Sequence, residues 1–250
     1  MRHIARIINR QVNRWNSIAE ALKCSPLADQ NVHPDRAGNI HPVICFSRDL
    51  GSGSRIIAQG LCERLGYELF GSRIIDEISK DLQVQRQLVD SLDETAQNEL
   101  DLMVETFLRG GEFDARDYYA SLARVLKTLA LKGGVVLLGR GAGFILRDQA
   151  ALCAYITAPP QDRVQRLMAY YAIDEKTARD RIQESDQRRE KFVRKVHRCE
   201  LNDHRNYDLV INTHRMEPPN AVDLVLAALK ARGYDLNTLR VQLGSQREVS

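Results

Sequence analysis

The stretch from Val43 to Leu65 constrains the fold more than any other part of the sequence. Val43 to Phe46 is a short apolar run, and a polar segment with Gly51 and Gly53 follows it directly. Apolar residues then recur at helical spacing as far as Leu65. An apolar strand, a glycine turn and an amphipathic helix in this order open a βαβ unit.

Later segments continue the alternation of strands and helices. Apolar runs typical of buried strands occupy residues 67–70, 135–139, 151–157 and 207–212. Helical patterns occupy residues 73–82, 84–131 (with a break at Gly110-Gly111), 159–171, 174–200 and 220–230. The sequence therefore predicts an α/β fold, in which a doubly wound parallel sheet carries helices on both faces.

The loop at residues 48–55, called the phosphate loop below, lies between the first strand and its helix. Such a loop turns several backbone N–H groups toward one point, and the helix N-terminus adds positive potential there. It departs from the pattern G-x-x-x-x-G-K-[ST], because Arg48, Ser54 and Arg55 replace the first glycine, the lysine and the magnesium-binding hydroxyl. A simple Gly/Ser turn remains the alternative. The residues predicted to bind the donor nucleotide are Asp49, Gly51, Ser52, Gly53, Ser54 and Arg55.

Three motifs resemble those of the cytidylate kinase-like family. They are Ser47–Arg55 (SRDLGSGSR), Gly139–Leu146 (GRGAGFIL) and Tyr207–Thr213 (YDLVINT), in the order in which that family has them. The resemblance covers about residues 43–216. It implies a P-loop NTPase-type three-layer fold with a helical acceptor-binding insertion at about 73–131 and an arginine-bearing lid at about 175–200. It also implies ATP and Mg²⁺ as cofactors.

Phosphoryl transfer requires alignment of donor and acceptor and neutralisation of charge, which arginine does well because its planar fork grips two phosphate oxygens. The candidate catalytic residues are Arg48, Arg55, Arg140, Arg188 and Arg194, and the candidate acceptor-binding residues are Ser72, Arg73, Arg140 and Arg189. Asp49 is a candidate for magnesium or for a helix cap. Gly141 stands where cytidylate kinases have an aspartate. Solvated helix residues, with the pairs Glu184–Arg188 and Glu190–Arg194, are the alternative for the lid.

Outside this domain, predicted at 42–232, the sequence is less informative. Residues 1–24 form a basic amphipathic helix that docks on the body, a second subunit, a partner or a lipid surface. Residues 25–41 read as a linker and 233–250 as a tail. Five scattered cysteines without a C-x-x-C pair indicate neither zinc nor disulfides. His197 and His204 lack a metal-binding set and read as solvated.

The composition suits a cytoplasmic protein that binds small anions. No run approaches the roughly 18 apolar residues that span a bilayer, and no signal sequence is evident. The net charge is only +3, and the basic segments lack interleaved aromatic residues, so a stable nucleic-acid complex is not expected. The leading hypothesis is an ATP-dependent phosphotransferase that acts on a nucleoside monophosphate. The alternatives are a kinase of another small metabolite and a catalytically weak nucleotide-binding regulator.

Overall fold

A computed structural model of the protein describes residues 4, 6–13, 42–109 and 116–236. The strands are β1 Ile44–Arg48, β2 Glu68–Gly71, β3 Val135–Leu138, β4 Leu152–Thr157 and β5 Leu209–Asn212. The helices after β1 are α1 Ser54–Leu65, α2 Ser72–Lys80, α3 Leu82–Val89, α4 Glu94–Arg109, α5 Arg116–Lys132, α6 Ala142–Ile145, α7 Pro160–Tyr171, α8 Glu175–His197 and α9 Pro218–Ala231. The predicted elements are thus present within a few residues of their expected ends, and α6 is an addition.

The five strands form one parallel sheet in the order β2-β3-β1-β4-β5. β1 lies at the centre, where Cys45 pairs with Leu137 of β3 and Cys153 of β4. The chain passes from β1 to one side of the sheet and from β3 to the other side. The carboxyl ends of β1 and β3 therefore flank a switch point, where open α/β sheets bind ligands. The prediction of a doubly wound parallel sheet is confirmed.

Two apolar layers cover the sheet. On one face α1 and α9 pack against the strands, for example through Leu61 and Val225. On the other face α2, α3, α5 and α6 pack, for example through Ile78 and Leu126. Both faces of the three central strands β1, β3 and β4 are buried, which explains why these strands read as continuous apolar runs in the sequence.

The helical segment between β2 and β3 is part of this core. α5 packs directly on the sheet face, and α4 is held against it by a smaller cluster that includes Leu100 and Ala123. The predicted insertion at 73–131 therefore corresponds to helices that cover the sheet. The predicted break at Gly110-Gly111 lies outside the described residues.

α7 and α8 stand over the carboxyl edge of the sheet. α8 is one continuous helix of 23 residues, and Asp174 caps its N-terminus by accepting a hydrogen bond from the Thr177 N–H. The first half of α8 packs on α7 through Ile182, and the second half packs over β4 through Val193. The predicted lid is thus a helix that two apolar clusters hold in place.

The N-terminal helix docks on its own chain. Residues 4 and 6–13 are helical, and Ile4, Ile7 and Ile8 are buried in the cluster that contains α2 and α5. Arg10 also pairs with Glu68 at 2.6 Å. Among the alternatives for this helix, packing against the body is the one observed. Its predicted continuation to residue 24, the linker 25–41 and the tail from residue 237 lie outside the described residues.

The described part of the chain also bears on the cysteines and on membrane-spanning segments. Cys45, Cys153 and Cys199 are free thiols there. No helix in the same ranges combines the length and apolar character needed to cross a membrane.

Candidate functional site

The phosphate loop turns sharply between β1 and α1 because Gly51 and Gly53 adopt φ angles of 84° and 78°. Gly53 is the N-cap of α1, so the expectation that Asp49 caps this helix is wrong. In the described chain, the N–H groups of Gly51, Gly53, Ser54 and Arg55 have no hydrogen-bond acceptor. A row of free N–H groups at a helix N-terminus is the arrangement that binds phosphate.

The carbonyl groups of the loop are held on its other side. Arg163 Nε donates to the Leu50 carbonyl at 2.7 Å, and Arg166 Nη1 lies 3.3 Å from the Gly51 carbonyl. The Thr213 hydroxyl donates to the Ser52 carbonyl at 2.9 Å. Three successive carbonyl oxygens are thus occupied by α7 and by the residue after β5. This pattern leaves the N–H groups as the exposed, electropositive side of the loop.

The carboxylate of Asp49 is held by hydrogen bonds from its own chain. The hydroxyl groups of Tyr155 and Thr157 each donate to one of its carboxylate oxygens at 2.6 Å, and Arg163 Nη1 lies 3.8 Å away. Burial, followed by the hydrogen bond to Asp49, raises the pKa of Tyr155 above its ordinary value. The carboxylate therefore ties the loop to β4. Arg48, which could have paired with Asp49, does not.

A cavity of about 480 Å³ adjoins the loop. It lies between the carboxyl ends of β1 and β3, the start of α2 and the second half of α8, and it is called the arginine-lined cavity below. Four arginines line it: Arg48, Arg140, Arg188 and Arg189. The other lining residues are Ser47, Leu50, Ser72, Gly139, Gly141, Phe144, Ser185, Phe192, Val193 and Leu201. No carboxylate or amide side chain is among them, so this lining attracts anions.

Arg48 lacks a compensating charge. Its guanidinium forms no hydrogen bond or ion pair with any residue that the structure describes. Burial and then the charges of Arg189, Arg55 and Arg140 lower its pKa to about 10. A half-buried arginine keeps its proton at neutral pH, so its partial desolvation costs free energy unless an anion compensates it. This electrostatic imbalance is the strongest sign of a ligand site.

Arg140 is held by an acidic partner. It occupies a left-handed conformation at φ 52°, two residues after the end of β3, and its guanidinium forms a bidentate pair with Asp76 of α2. The Tyr118 hydroxyl also donates to Asp76 at 3.0 Å. Burial lowers the pKa of Arg140, but the hydrogen bond and charge of Asp76 outweigh this effect and raise it. One edge of the Arg140 guanidinium is therefore occupied by Asp76, while the residue still lines the cavity.

The three lid arginines occupy different places. Arg188 faces the cavity from an exposed position and pairs with Glu184 at 3.7 Å, as the sequence predicted. Arg189 also lines the cavity, and its Nη1 donates to Asp186 at 3.1 Å. Arg194 is not among the lining residues and pairs with Glu200 at 2.8 Å, so the predicted Glu190–Arg194 pair is wrong. The remaining candidates also divide: Ser72 lines the cavity, whereas Arg73 is exposed and pairs with Glu77 at 2.9 Å, and Arg55 is exposed beside Arg48.

The space beside Gly141 is closed by the lid helix. A Cβ at this position would lie 2.9 Å from His197 Nε2 and 3.0 Å from Phe192 Cε1, and the φ of 64° disfavours other residues. His197 stacks on Phe144 with centroids 5.1 Å apart, and burial lowers its pKa to about 4. The expectation of a solvated His197 is therefore wrong. An aspartate at position 141 would require α8 to move.

Sequence reasoning missed several residues that organise the site: Asp76, Tyr155, Arg163, Arg166, Asp186 and Thr213. Arg163 and Arg166 carried a usable signal, because they lie three residues apart in the helix that follows β4. Their side chains consequently share one face at the ligand-binding edge of the sheet. Asp76 and Asp186 carried no sequence signal of a site role, because ordinary solvent-exposed acidic residues of helices occur at the same spacing.

This sheet order, the free N–H groups after the central strand and the facing arginines are those of a P-loop α/β protein. The chain belongs to the cytidylate kinase-like family, whose model matches residues 43–215.

Individual relatives agree with this assignment. The cytidylate kinase of Methanopyrus kandleri is 26% identical over 201 residues, which cover 76% of this chain and 94% of the relative. The cytidylate kinase of Natronomonas pharaonis is 26% identical over 194 residues, covering 77% and 92%. A crystal structure of an uncharacterized protein from Eubacterium ventriosum shares the fold, with a TM-score of 0.58 at 21% identity. It covers 76% of this chain and 99% of that one.

Proposed function

We propose that the protein is an ATP- and Mg²⁺-dependent phosphotransferase whose acceptor is a phosphate monoester of the nucleoside monophosphate class. In this proposal the phosphate loop binds the donor phosphates, and the arginine-lined cavity binds the acceptor phosphate. A cytoplasmic location, where nucleotides are abundant, belongs to the same proposal. The observation that carries it is the uncompensated Arg48 at the junction of loop and cavity.

The charge of the site supports a phosphate monoester. The cationic groups around the junction are Arg48, Arg55, Arg140, Arg163, Arg188 and Arg189, and the anionic groups that pair with or face them are Asp49, Asp76, Glu184 and Asp186. The cationic groups are in excess. A phosphate monoester carries about −1.5 to −2 at pH 7, which offsets such an excess. Arg48 and Arg140 approach from the sheet and Arg188 and Arg189 from α8, so they can grip the oxygens from opposite sides.

ATP and magnesium differ in how the protein fits them. The free N–H groups of the loop suit the donor phosphates. Asp49 suits a metal ion poorly, because both of its carboxylate oxygens already accept hydrogen bonds. The described residues also contain no group of three or more His, Cys, Asp or Glu that could hold a metal. Magnesium usually keeps several waters and binds through substrate phosphates, so we expect it to enter with the nucleotide.

A coupled assay with ATP and Mg²⁺ tests the proposal across CMP, dCMP, UMP, AMP and GMP. We expect turnover with at least one acceptor and its loss in Arg48→Gln. Arg109→Gln is the matched control, since Arg109 is exposed on α4 and pairs only with Glu105 among the described residues. Absence of turnover with every acceptor at high enzyme concentration would refute the proposal.

The kinase of another small metabolite is a second candidate, favoured by the lining of the cavity. No carboxylate or amide side chain lines it to read the edge of a base. If the acceptor is a nucleotide, we expect the bases to differ in kcat/KM by less than about 100-fold, because strong discrimination needs hydrogen-bonding groups built for one base. Turnover with a non-nucleotide phosphate in a broad metabolite screen, without turnover of any nucleotide, would favour this candidate.

The nucleotide-binding regulator is a third candidate, favoured by Ser54, which occupies the position of the usual P-loop lysine at the first turn of α1. Calorimetry with ATP and Mg²⁺ separates it from a kinase. Tight binding without turnover of any acceptor would support the regulator. Weak binding together with turnover would exclude it.

A further inference from the structure

Arg163 connects the phosphate loop to the lid helix. It lies in the first turn of α7, and its side chain is 8% exposed. Its Nε donates to the Leu50 carbonyl at 2.7 Å, and its Nη2 donates to Asp186 of α8. The guanidinium group is rigid and planar, so the loop and α8 cannot shift independently while both bonds persist.

Asp186 continues the connection into the arginine-lined cavity. One carboxylate oxygen accepts the hydrogen bond from Arg163, and the other accepts one from Arg189 Nη1 at 3.1 Å. Arg189 lines the cavity and lies close enough to Arg48 to lower its pKa. A single carboxylate therefore joins the arginine that holds the loop to an arginine that faces the acceptor position.

We propose that Arg163 and Asp186 are positioning residues that couple the phosphate loop to the arginine-lined cavity, so that each ligand strengthens the binding of the other. This inference rests on the proposed function, because it takes the loop and the cavity as the two ligand sites. Neither residue needs to touch a substrate. Each acts through a neighbour, Arg163 through the loop carbonyl and Asp186 through Arg189.

The charged cluster around Arg163 and Asp186 explains why these residues link the binding of the two ligands and do more than stabilise the fold. Arg163 and Arg189 carry two positive charges, and Asp49 and Asp186 carry two negative charges, in a largely buried group. Buried polar networks are sensitive to displacement of any member. An anion on Arg189 fixes Asp186 and, through it, Arg163 and the loop. A nucleotide on the loop fixes the same chain of contacts from the other end, so the second ligand meets a site that is already ordered.

Isothermal titration calorimetry tests the coupling with two probes, a non-hydrolysable ATP analogue with Mg²⁺ and inorganic phosphate. In the wild-type protein we expect the phosphate affinity to rise at least about fivefold when the nucleotide analogue is bound. Asp186→Asn keeps the size of the side chain and removes its charge. We expect it to reduce the coupling to near onefold, while the affinity for the nucleotide analogue alone stays within about threefold of wild type.

Two further variants separate coupling from stability. Arg163→Lys keeps a charge opposite Asp186 but cannot hold Leu50 and Asp186 with one planar fork, so we expect it to weaken both nucleotide binding and coupling. Glu175→Gln removes an exposed pair with Arg179 on the same helix and should leave both unchanged. Asp186→Glu should restore part of the coupling. Thermal melting measured in parallel verifies that each variant is folded.

The outcomes are distinct. Coupling that persists in Asp186→Asn, or independent binding of the two probes to the wild-type protein, overturns the inference and leaves the proposed function standing. Failure of the wild-type protein to bind the nucleotide analogue at all refutes the proposed function, and the coupling with it. Loss of coupling in Asp186→Asn with an intact nucleotide site supports the inference.

Discussion

The substitution Gly51→Ala tests whether the loop is fixed by its own conformation or by its packing against α7. At φ 84° a Cβ costs about 1–2 kcal/mol in backbone energy. The same Cβ would lie 2.7 Å from the Arg163 carbonyl oxygen and 2.8 Å from Leu167 Cδ1. Overpacking of this kind costs a further ~1–3 kcal/mol. We therefore expect a total loss of about 2–5 kcal/mol in the free energy of unfolding.

Gly53→Ala is the matched control. Its φ of 78° gives nearly the same backbone cost, but the nearest atom to its Cβ is Arg166 Nη1 at 4.0 Å. Urea denaturation of both variants should thus show Gly51→Ala to be the less stable by about 1–3 kcal/mol, which isolates the packing contribution. Nucleotide titration should show a larger loss of affinity for Gly51→Ala as well, because the loop must move away from α7. Equal stability of the two variants would refute the packing argument.

Three other substitutions test the electrostatics of the site. Arg48→Gln should abolish activity and raise the free energy of unfolding of the ligand-free protein by about 1–3 kcal/mol in thermal or urea denaturation, because it removes a half-buried, unpaired charge. A destabilised variant would show that Arg48 has a compensating partner. Asp49→Asn should cost about 1–3 kcal/mol, since one of the hydroxyl groups of Tyr155 and Thr157 would then face an amide N–H₂ group. Titration of the activity against Mg²⁺ should give the same midpoint as wild type, and a large shift would make Asp49 a metal ligand. His197→Gln should flatten the fall in stability at acid pH. In the wild-type protein the folded pKa of His197 is about 4, so the unfolded chain takes up this proton first as the pH falls below about 6.5. The free energy of unfolding of the wild-type protein should therefore decrease by about 3 kcal/mol by pH 4. Denaturation at pH 7 and pH 4 checks this, and an unchanged acid limb in the variant would contradict it.

The sequence predicted the fold well because the local signals agree with the tertiary structure. Val135 to Leu138 reads as a strand covered on both faces, and that is its environment. Pro160 opens α7, where the fixed φ of proline suits a first helical turn. The glycines of the phosphate loop predict a turn, and the structure has a turn there. The sequence also placed Arg48 and Arg140 at the carboxyl edge, because each lies within two residues of the end of a buried strand.

The roles of individual charged side chains were harder to predict. Arg194 had the same local pattern as Arg188, yet a bond to Glu200 holds it outside the lining of the cavity. Asp49 belongs to the loop in sequence, but two hydroxyl groups of β4 donate hydrogen bonds to its carboxylate. Glu200 lies beyond the end of the helix that carries Arg194, and the partners of Asp49 lie more than 100 residues away along the chain, so helical spacing reveals neither.

By itself the sequence predicted a strand, a glycine loop and a helix within a parallel sheet, and a candidate anion site at the loop. Those features depend on backbone conformation and apolar periodicity, which neighbouring residues fix. The tertiary structure alone decided which charges are compensated. It pairs Arg140 with Asp76 and Arg163 with Asp186, and it leaves Arg48 without a partner among the described residues. Charge compensation acts through space, so only the folded chain shows where an anion is needed.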